Sequence, residues 1–282
     1  MRTDIIEFIF KIAKSRNAFD QLEEYLSSFD KEMLCENLIQ CGVLPEMFEH
    51  DSSEEKLWAK FSDIMLSKAL NHLGIKSEVL GARGNSADVF GKTKEYTIVG
   101  DAKTFRLSRT AKNQKDFKVN ALDSWRKGNN YAMLVAPLMQ YPAKKSQIYE
   151  QAIEKNVTLI SYTHLFFLLK NHKKQSLQQV WEIGQKLSVL PKSSYQNAET
   201  YWNTVDQVVA SVVEKSIDDI KIYMQLEVSK TIALGQEGIQ YWQFKIDNFQ
   251  QLSKDEAIKL LIKAEKIEAK IKTIEKSIKI KI

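Results

Sequence analysis

The sequence predicts an α+β fold: a central mixed β-sheet flanked by helices, with helical N-terminal and C-terminal parts. Three observations carry this. Short β-branched and apolar runs, among them Tyr96-Thr97-Ile98-Val99-Gly100 and Tyr131 to Leu138, crowd into residues 75–162 and alternate there with helical patterns. Apolar residues at three- and four-residue spacing fill the chain on both sides of that stretch. With only 10 Gly and 4 Pro in 282 residues, extended linkers are not expected.

Taken in order, residues 3–40 predict two or three amphipathic helices, ended by Gly42 and Pro45. Ser52-Ser53-Glu54-Glu55 starts a helix, with its acids in the first turn, and Leu57, Phe61, Ile64, Met65 and Leu73 carry it to Gly74. Residues 75–103 read as a β-meander: Ser77 to Leu80, a short strand at Asp88-Val89-Phe90, the turn-rich Gly91-Lys92-Thr93-Lys94, then Thr97 to Lys103. One helix is expected over Asn113 to Lys127, stopped by Gly128-Asn129-Asn130. Tyr131 to Leu138 is a buried strand, Gln147 to Lys155 a helix and Val157 to Tyr162 a further strand, so the sheet is mixed. Leu177 to Leu187 form one helix. A long helical pattern from Ala198 to Phe249 invites a break near Gly235 and Gly238. Ser253-Lys254-Asp255-Glu256 resembles a capping box for a last helix, whose Ile267, Ile271, Ile274 and Ile278 make a coiled-coil-like seam. That seam suits packing on its own domain or contact with a second subunit. The expected division is an N-terminal helical segment over 1–50, a core over 51–165 and a C-terminal helical region over 166–282.

Composition narrows the classes. The net charge is +5, and the clustering of that charge matters more than its sum. Cys35 and Cys41 make no disulfide framework and fit a reducing, cytoplasmic setting. The histidines lack zinc-ligand spacing. No signal peptide and no apolar run of membrane-spanning length is visible. Trp125, Trp181, Trp202 and Trp242 read as core residues, on the spacing of their apolar neighbours.

The stretch from Asp88 to Lys118 concentrates the chemistry. Asp101 and Lys103, two apart on a strand, point to one face. A hairpin brings Asp88 back towards Asp101. Two carboxylates beside one lysine suit a Mg²⁺ site for phosphodiester hydrolysis, with Asp88, Asp101 and the Ala102 carbonyl as donors. Lys103 then orients the water, stabilises developing charge or acts as base. Glu55 and Asp63 on the preceding helix are acids that could approach from behind the sheet, Glu55 being the stronger candidate. A second D-x-K, Asp116 with Lys118, lacks an apolar strand before it and reads as a solvated helix face. Bases recur at Arg106, Arg109, Lys112, Lys115 and Lys118. Within this run Arg106 and Arg109 suit phosphate or guanine, Asn113 and Gln114 suit adenine edges, and Ser108 suits phosphate.

The run from Asp101 to Val119, DAKTFRLSRTAKNQKDFKV, closely resembles the active-site region of the HindIII-type type II restriction endonucleases, in the PD-(D/E)xK nuclease superfamily. Gly42-Val43-Leu44-Pro45-Glu46, Arg83-Gly84-Asn85 with Asp88-Val89, and Gln140-Tyr141-Pro142 followed by Lys145 to Ile148 share the likeness. It is strong over residues 40–165 and weaker in the terminal helices. Ala87 replaces the proline usual before the first acid, and the segment between Asp88 and Asp101 is shorter. The resemblance implies a restriction-endonuclease-like fold and a homodimer acting on double-stranded DNA with Mg²⁺, cutting a palindrome, AAGCTT after the first adenine. It assigns Asp88 and Asp101 to the metal and Lys103 to catalysis. It places Arg83, Asn85 and the 106–118 segment at the DNA, and it implies a cognate DNA methyltransferase that acts on the same site. The rival expectations are a repair or recombination nuclease of the same fold and a DNA-binding protein without catalysis.

Overall fold

The structure, a computed structural model, describes residues 2–81, 86–109 and 114–278. Three helices open the chain: α1 (Arg2–Ile12), α2 (Ala18–Ser27) and α3 (Lys31–Cys41). The side chain of Asp30 caps α3 by accepting from Met33 N. Next comes α4 (Ser53–His72), capped by Ser52, which accepts from Glu55 N. A five-stranded sheet follows in the order β1 (Lys76–Val79), β2 (Val89–Lys92), β3 (Thr97–Ala102), β4 (Tyr131–Ala136) and β5 (Val157–Ser161). The first three strands are antiparallel neighbours and the last two join in parallel, so the sheet is mixed as the alternation predicts. β4 and β5 are buried throughout, as parallel strands covered on both faces must be. Helices α5 (Gln114–Phe117) and α6 (Val119–Trp125) lead into β4, and α7 (Gln147–Lys155) crosses over to β5. After these come α8 (Tyr162–Asn171), α9 (Gln178–Trp181), α10 (Ile183–Leu187) and α11 (Ala198–Val212). The long α12 (Ile217–Gln250), α13 (Lys254–Ala264) and α14 (Ile267–Ile278) end the described chain.

Several expectations need correction. The hairpin turn is Thr93–Tyr96, where Thr93 N donates to Tyr96 O at 2.9 Å, so Gly91 and Lys92 belong to β2. The helix expected over 113–127 is broken at Lys118, whose φ of 50° ends α5 and starts α6. Leu177 to Leu187 form two short helices. The break after Val212 is set by Glu214 in the left-handed region and by the cap Ser216–Asp219, while Gly235 and Gly238 sit inside α12. The sequence overweighted two glycines, each of which costs a long helix only about 1 kcal/mol. Another left-handed residue, Lys266, separates α13 from α14. Trp242 is exposed rather than buried.

Contacts divide the chain into two compact units, Met1–Gly235 and Gln236–Ile282. The first holds the sheet and a continuous apolar core that includes Trp58, Phe61, Tyr149, Trp181 and Tyr201. The second is helical and exposes Ile239, Trp242, Phe244, Phe249, Leu261, Ile267, Ile271 and Ile274. Its Ser253 and Glu256 form the capping box the sequence predicts. Cys35 and Cys41 are free and buried. Among the described residues no helix is long and apolar enough to cross a membrane.

Glu227 is a buried carboxylate in the first unit. It accepts from Leu138 N at 2.9 Å and from the hydroxyl of Thr163. Burial raises its pKa above the ordinary 4.5. The folded state therefore holds this proton more tightly than the unfolded chain. The stability it contributes is complete below the unfolded value and is lost as pH rises through the folded one. Glu227→Gln should remove that loss. Melting curves from pH 4 upwards are expected to show the variant gaining on the parent chain as pH rises; parallel curves would refute the assignment.

Candidate active site at the end of strand β3

The register of the β2–β3 pair sets the site. Val89 stands opposite Gly100, and Asp88 N donates to Gly100 O at 3.2 Å, so Asp88 comes beside Asp101 on one face. Asp101 is the last residue but one of β3, and its side chain is 1% exposed. Lys103 Nζ lies 2.5 Å from Asp101 Oδ2. That oxygen is fully enclosed and makes no hydrogen bond of good geometry, so the ammonium holds it by charge alone. The period-two spacing thus delivers the juxtaposition that the sequence predicts.

The backbone of Lys103 is fixed from two sides. Its N–H donates to Val135 O at 2.7 Å, and its carbonyl accepts from the hydroxyl of Tyr162 at 3.1 Å. Gly42 makes room for that tyrosine. A Cβ there would come within 2.6 Å of the Tyr162 ring and 2.7 Å of Pro137. Gly42→Ala is therefore expected to cost about 1–3 kcal/mol of stability and to shift Lys103. Thermal unfolding together with the cleavage rate checks this; a variant with normal melting and normal rate contradicts it. The Gly42–Glu46 motif also gains a structural account. Phe105 N donates to Gly42 O and Leu44 N to Phe105 O, so the motif cradles the chain leaving β3.

Helix α4 packs against the back of this face. Gly100 permits the approach, since a Cβ there would stand 3.2 Å from Leu66. α4 brings Lys60 and Asp63, one turn apart. Lys60 Nζ lies 3.4 Å from Asp63 Oδ2 and 3.7 Å from Asp88 Oδ1. Asp63, Asp88, Asp101, Lys60, Lys103 and Glu55 all line one pocket of about 530 Å³. Burial, and then the neighbouring Asp88, push the Asp63 carboxyl well above the usual range. Asp88 is raised by burial and by Asp101. Asp63 was the weaker of the two α4 candidates by sequence, yet it stands nearest the pair. Glu55 reaches the same pocket, but its Oε2 accepts from Asp51 N at 2.6 Å and lies 3.6 Å from Arg106 Nη2. The signal for Asp63 was its place inside Phe61-Ser62-Asp63-Ile64-Met65-Leu66, where every residue is buried.

The basic run is held more tightly than its spacing suggests. Arg106 donates to the carbonyls of Pro45 and Glu46 at 3.1 and 3.3 Å. Ser108 donates its backbone N–H and its hydroxyl to the Glu46 carboxylate at 3.0 and 2.7 Å. Arg109 pairs with Asp116 at 2.5 Å, so Asp116 is an ion-pair partner in place of the expected solvated acid. Lys118 is exposed. Arg83, Asn85, Lys112 and Asn113 lie outside the described residues, as do the side chains of Gln114 and Lys115.

Two other places fail as active sites. Ser161, His164 and Asp206 form a hydrolase-like chain, with His164 Nδ1 2.5 Å from Ser161 Oγ and Nε2 2.8 Å from Asp206. Ser161 and His164 are wholly buried, and together they form the capping box of α8. A larger cleft, about 920 Å³, lies at the opposite end of the strands beside Thr93–Tyr96, and Glu95 is the one carboxylate in its lining.

The donors at the β3 end suit a hard divalent cation: two adjoining carboxylates, one with an enclosed oxygen that lacks a hydrogen bond and one open to the pocket. Among the described residues no set of three His, Cys, Asp or Glu side chains converges on one point. Two carboxylates, with water and substrate completing the shell, match the habit of a small hard ion. A mixed five-stranded sheet backed by a helix, with paired acids and a lysine at the end of its third strand, defines the restriction-endonuclease-like class of α+β proteins. Comparison carries this further. The family model described as HindIII restriction endonuclease matches residues 10–279. The chain is 36% identical over 271 residues to the type II restriction enzyme HindIII of Haemophilus influenzae, covering 94% of this chain and 90% of that protein. The chain belongs to the HindIII restriction endonuclease family.

Proposed function

We propose that this chain is a type II restriction endonuclease. Its Mg²⁺-dependent double-strand cuts fall in the palindrome AAGCTT, after the first adenine, and leave 5′-phosphates. The observation that carries this is the Asp88–Asp101 pair with Lys103 Nζ 2.5 Å from Asp101 at the end of β3, in a chain of this family. Asp88, Asp101 and the Ala102 carbonyl would hold the ion. When bound, Mg²⁺ supplies positive charge at the phosphate and acidifies a water. Lys103, held 2.5 Å from Asp101, stabilises charge developing on the phosphate oxygens. Glu55 steadies Arg106 and the turn at Asp51. Arg106 and Ser108 shape the loop, while Arg109, Lys118 and the 110–115 segment meet DNA. Residues 51–165 form the catalytic nuclease core, residues 1–50 an N-terminal helical segment, and the helical region 166–282 supplies dimer and DNA contacts.

A palindrome is met by a two-fold dimer, each copy cutting one strand. The exposed isoleucine seam of α14 supports a second copy as partner. A cognate methyltransferase acts on the same sequence, which does not require it to bind this protein. The test incubates purified protein and Mg²⁺ with a plasmid of known sequence and sequences the fragment ends. Discrete ends sharing AAGCTT are expected. A different palindrome overturns the target, and random or absent cutting overturns the assignment.

A further inference from the structure

We infer that Lys60 is a resident counter-ion of this site, standing on its acids until a divalent cation arrives and so limiting how tightly the DNA-free protein takes that cation. The inference rests on the assignment of Asp88 and Asp101 as cation ligands.

Glu55, Asp63, Asp88 and Asp101 line the pocket with Lys56, Lys60 and Lys103. Glu55 is engaged by Asp51 N and Arg106, which leaves Asp63, Asp88 and Asp101 to the other cations. Lys103 serves Asp101. Lys60 divides itself between Asp63 at 3.4 Å and Asp88 at 3.7 Å. Its side chain is 23% exposed, so water screens it only in part. The ammonium also stands 5.9 Å from the centre of the Phe19 ring. Asp63 is 5% exposed, which leaves Lys60 as the cation within reach to balance it. A cation bound to Asp88 meets Lys60 as a like charge. The geometry contains the remedy: Lys60 gives up Asp88 and stays on Asp63. Cation entry therefore breaks one ion pair, and that cost lowers affinity until DNA phosphate adds its own negative charge to the pocket.

The test is calorimetric titration of the full chain with Mg²⁺ alone, without DNA. Lys60→Met should bind Mg²⁺ about tenfold more tightly than the parent chain, the coupling of one partly screened charge. Lys60→Arg keeps the charge and should stay close to the parent. If Lys60→Met does not fold, Lys60→Gln replaces it, with folding checked by thermal melting. Asp63→Asn alone should weaken binding, because Lys60 then settles wholly on Asp88. The double variant Lys60→Met with Asp63→Asn should keep the tightened affinity, because Asp63 acts through Lys60. Unchanged or weaker binding by the Lys60→Met chain overturns the inference, as does a double variant that loses the gain, which would make Asp63 a ligand. If instead the parent chain and Asp101→Asn bind Mg²⁺ equally, it is the underlying cation assignment that fails.

Discussion

Asp101→Asn is expected to lower the cleavage rate by about a thousandfold while leaving DNA binding nearly intact, the loss that follows removal of one electrostatic contact made in the transition state. The substitution keeps the shape of the side chain and removes its charge. Asp101 is almost wholly buried, its Oδ2 makes no hydrogen bond, and it holds Lys103 by charge. An amide there would weaken the proposed cation site and release the lysine at once. Protein–DNA affinity generally rests on phosphate contacts, so binding is expected to persist in this variant and to fall steeply with salt. Single-turnover cleavage and gel-shift titration measure the two quantities. A variant that cuts at the normal rate removes Asp101 from the chemistry.

Trp58→Ala should be the most damaging change to the fold: about 4 kcal/mol, or roughly 10 °C in melting temperature. Trp58 is 0% exposed and lies between Phe48 and Phe61, with ring centroids 5.9 and 5.0 Å away. Its Nε1 donates to Cys41 O at 2.9 Å, and the Arg2 guanidinium sits 4.8 Å over its ring. Truncation opens a cavity and strands a buried carbonyl. The residue also ties α4 to the end of α3, so Lys60 and Asp63 should lose their fixed positions. Calorimetric unfolding decides; a fall of less than about 2 °C would show that the core closes around the gap.

The parts of the site legible in the sequence are those set by local periodicity. Asp101 and Lys103 share a face because strands alternate, and Asp88 joins them because an antiparallel hairpin folds back on itself. The bounds of α7 and the caps of α4 and α13 follow from short-range hydrogen bonding, which the residue order states directly. What stayed hidden depends on long-range docking. Lys60 and Asp63 look like ordinary surface charges on a helix until Gly100 lets that helix approach β3. Arg106 and Ser108 look free until Pro45 and Glu46 arrive from some sixty positions earlier. The break at Lys118 needs a left-handed lysine, a conformation that composition does not announce.

The hydroxyl of Tyr162 reaches back fifty-nine residues to hold the carbonyl of Lys103. Val135 grips the amide of that lysine from the neighbouring strand. During synthesis both holds come late, because a growing chain folds its N-terminal parts first and pays loop closure before distant contacts form. The acids and the lysine are made before either of these two holds exists, and the pair of holds is complete only after the fifth strand has been made. A chain that stops short of Tyr162 is expected to hold Lys103 from one side only.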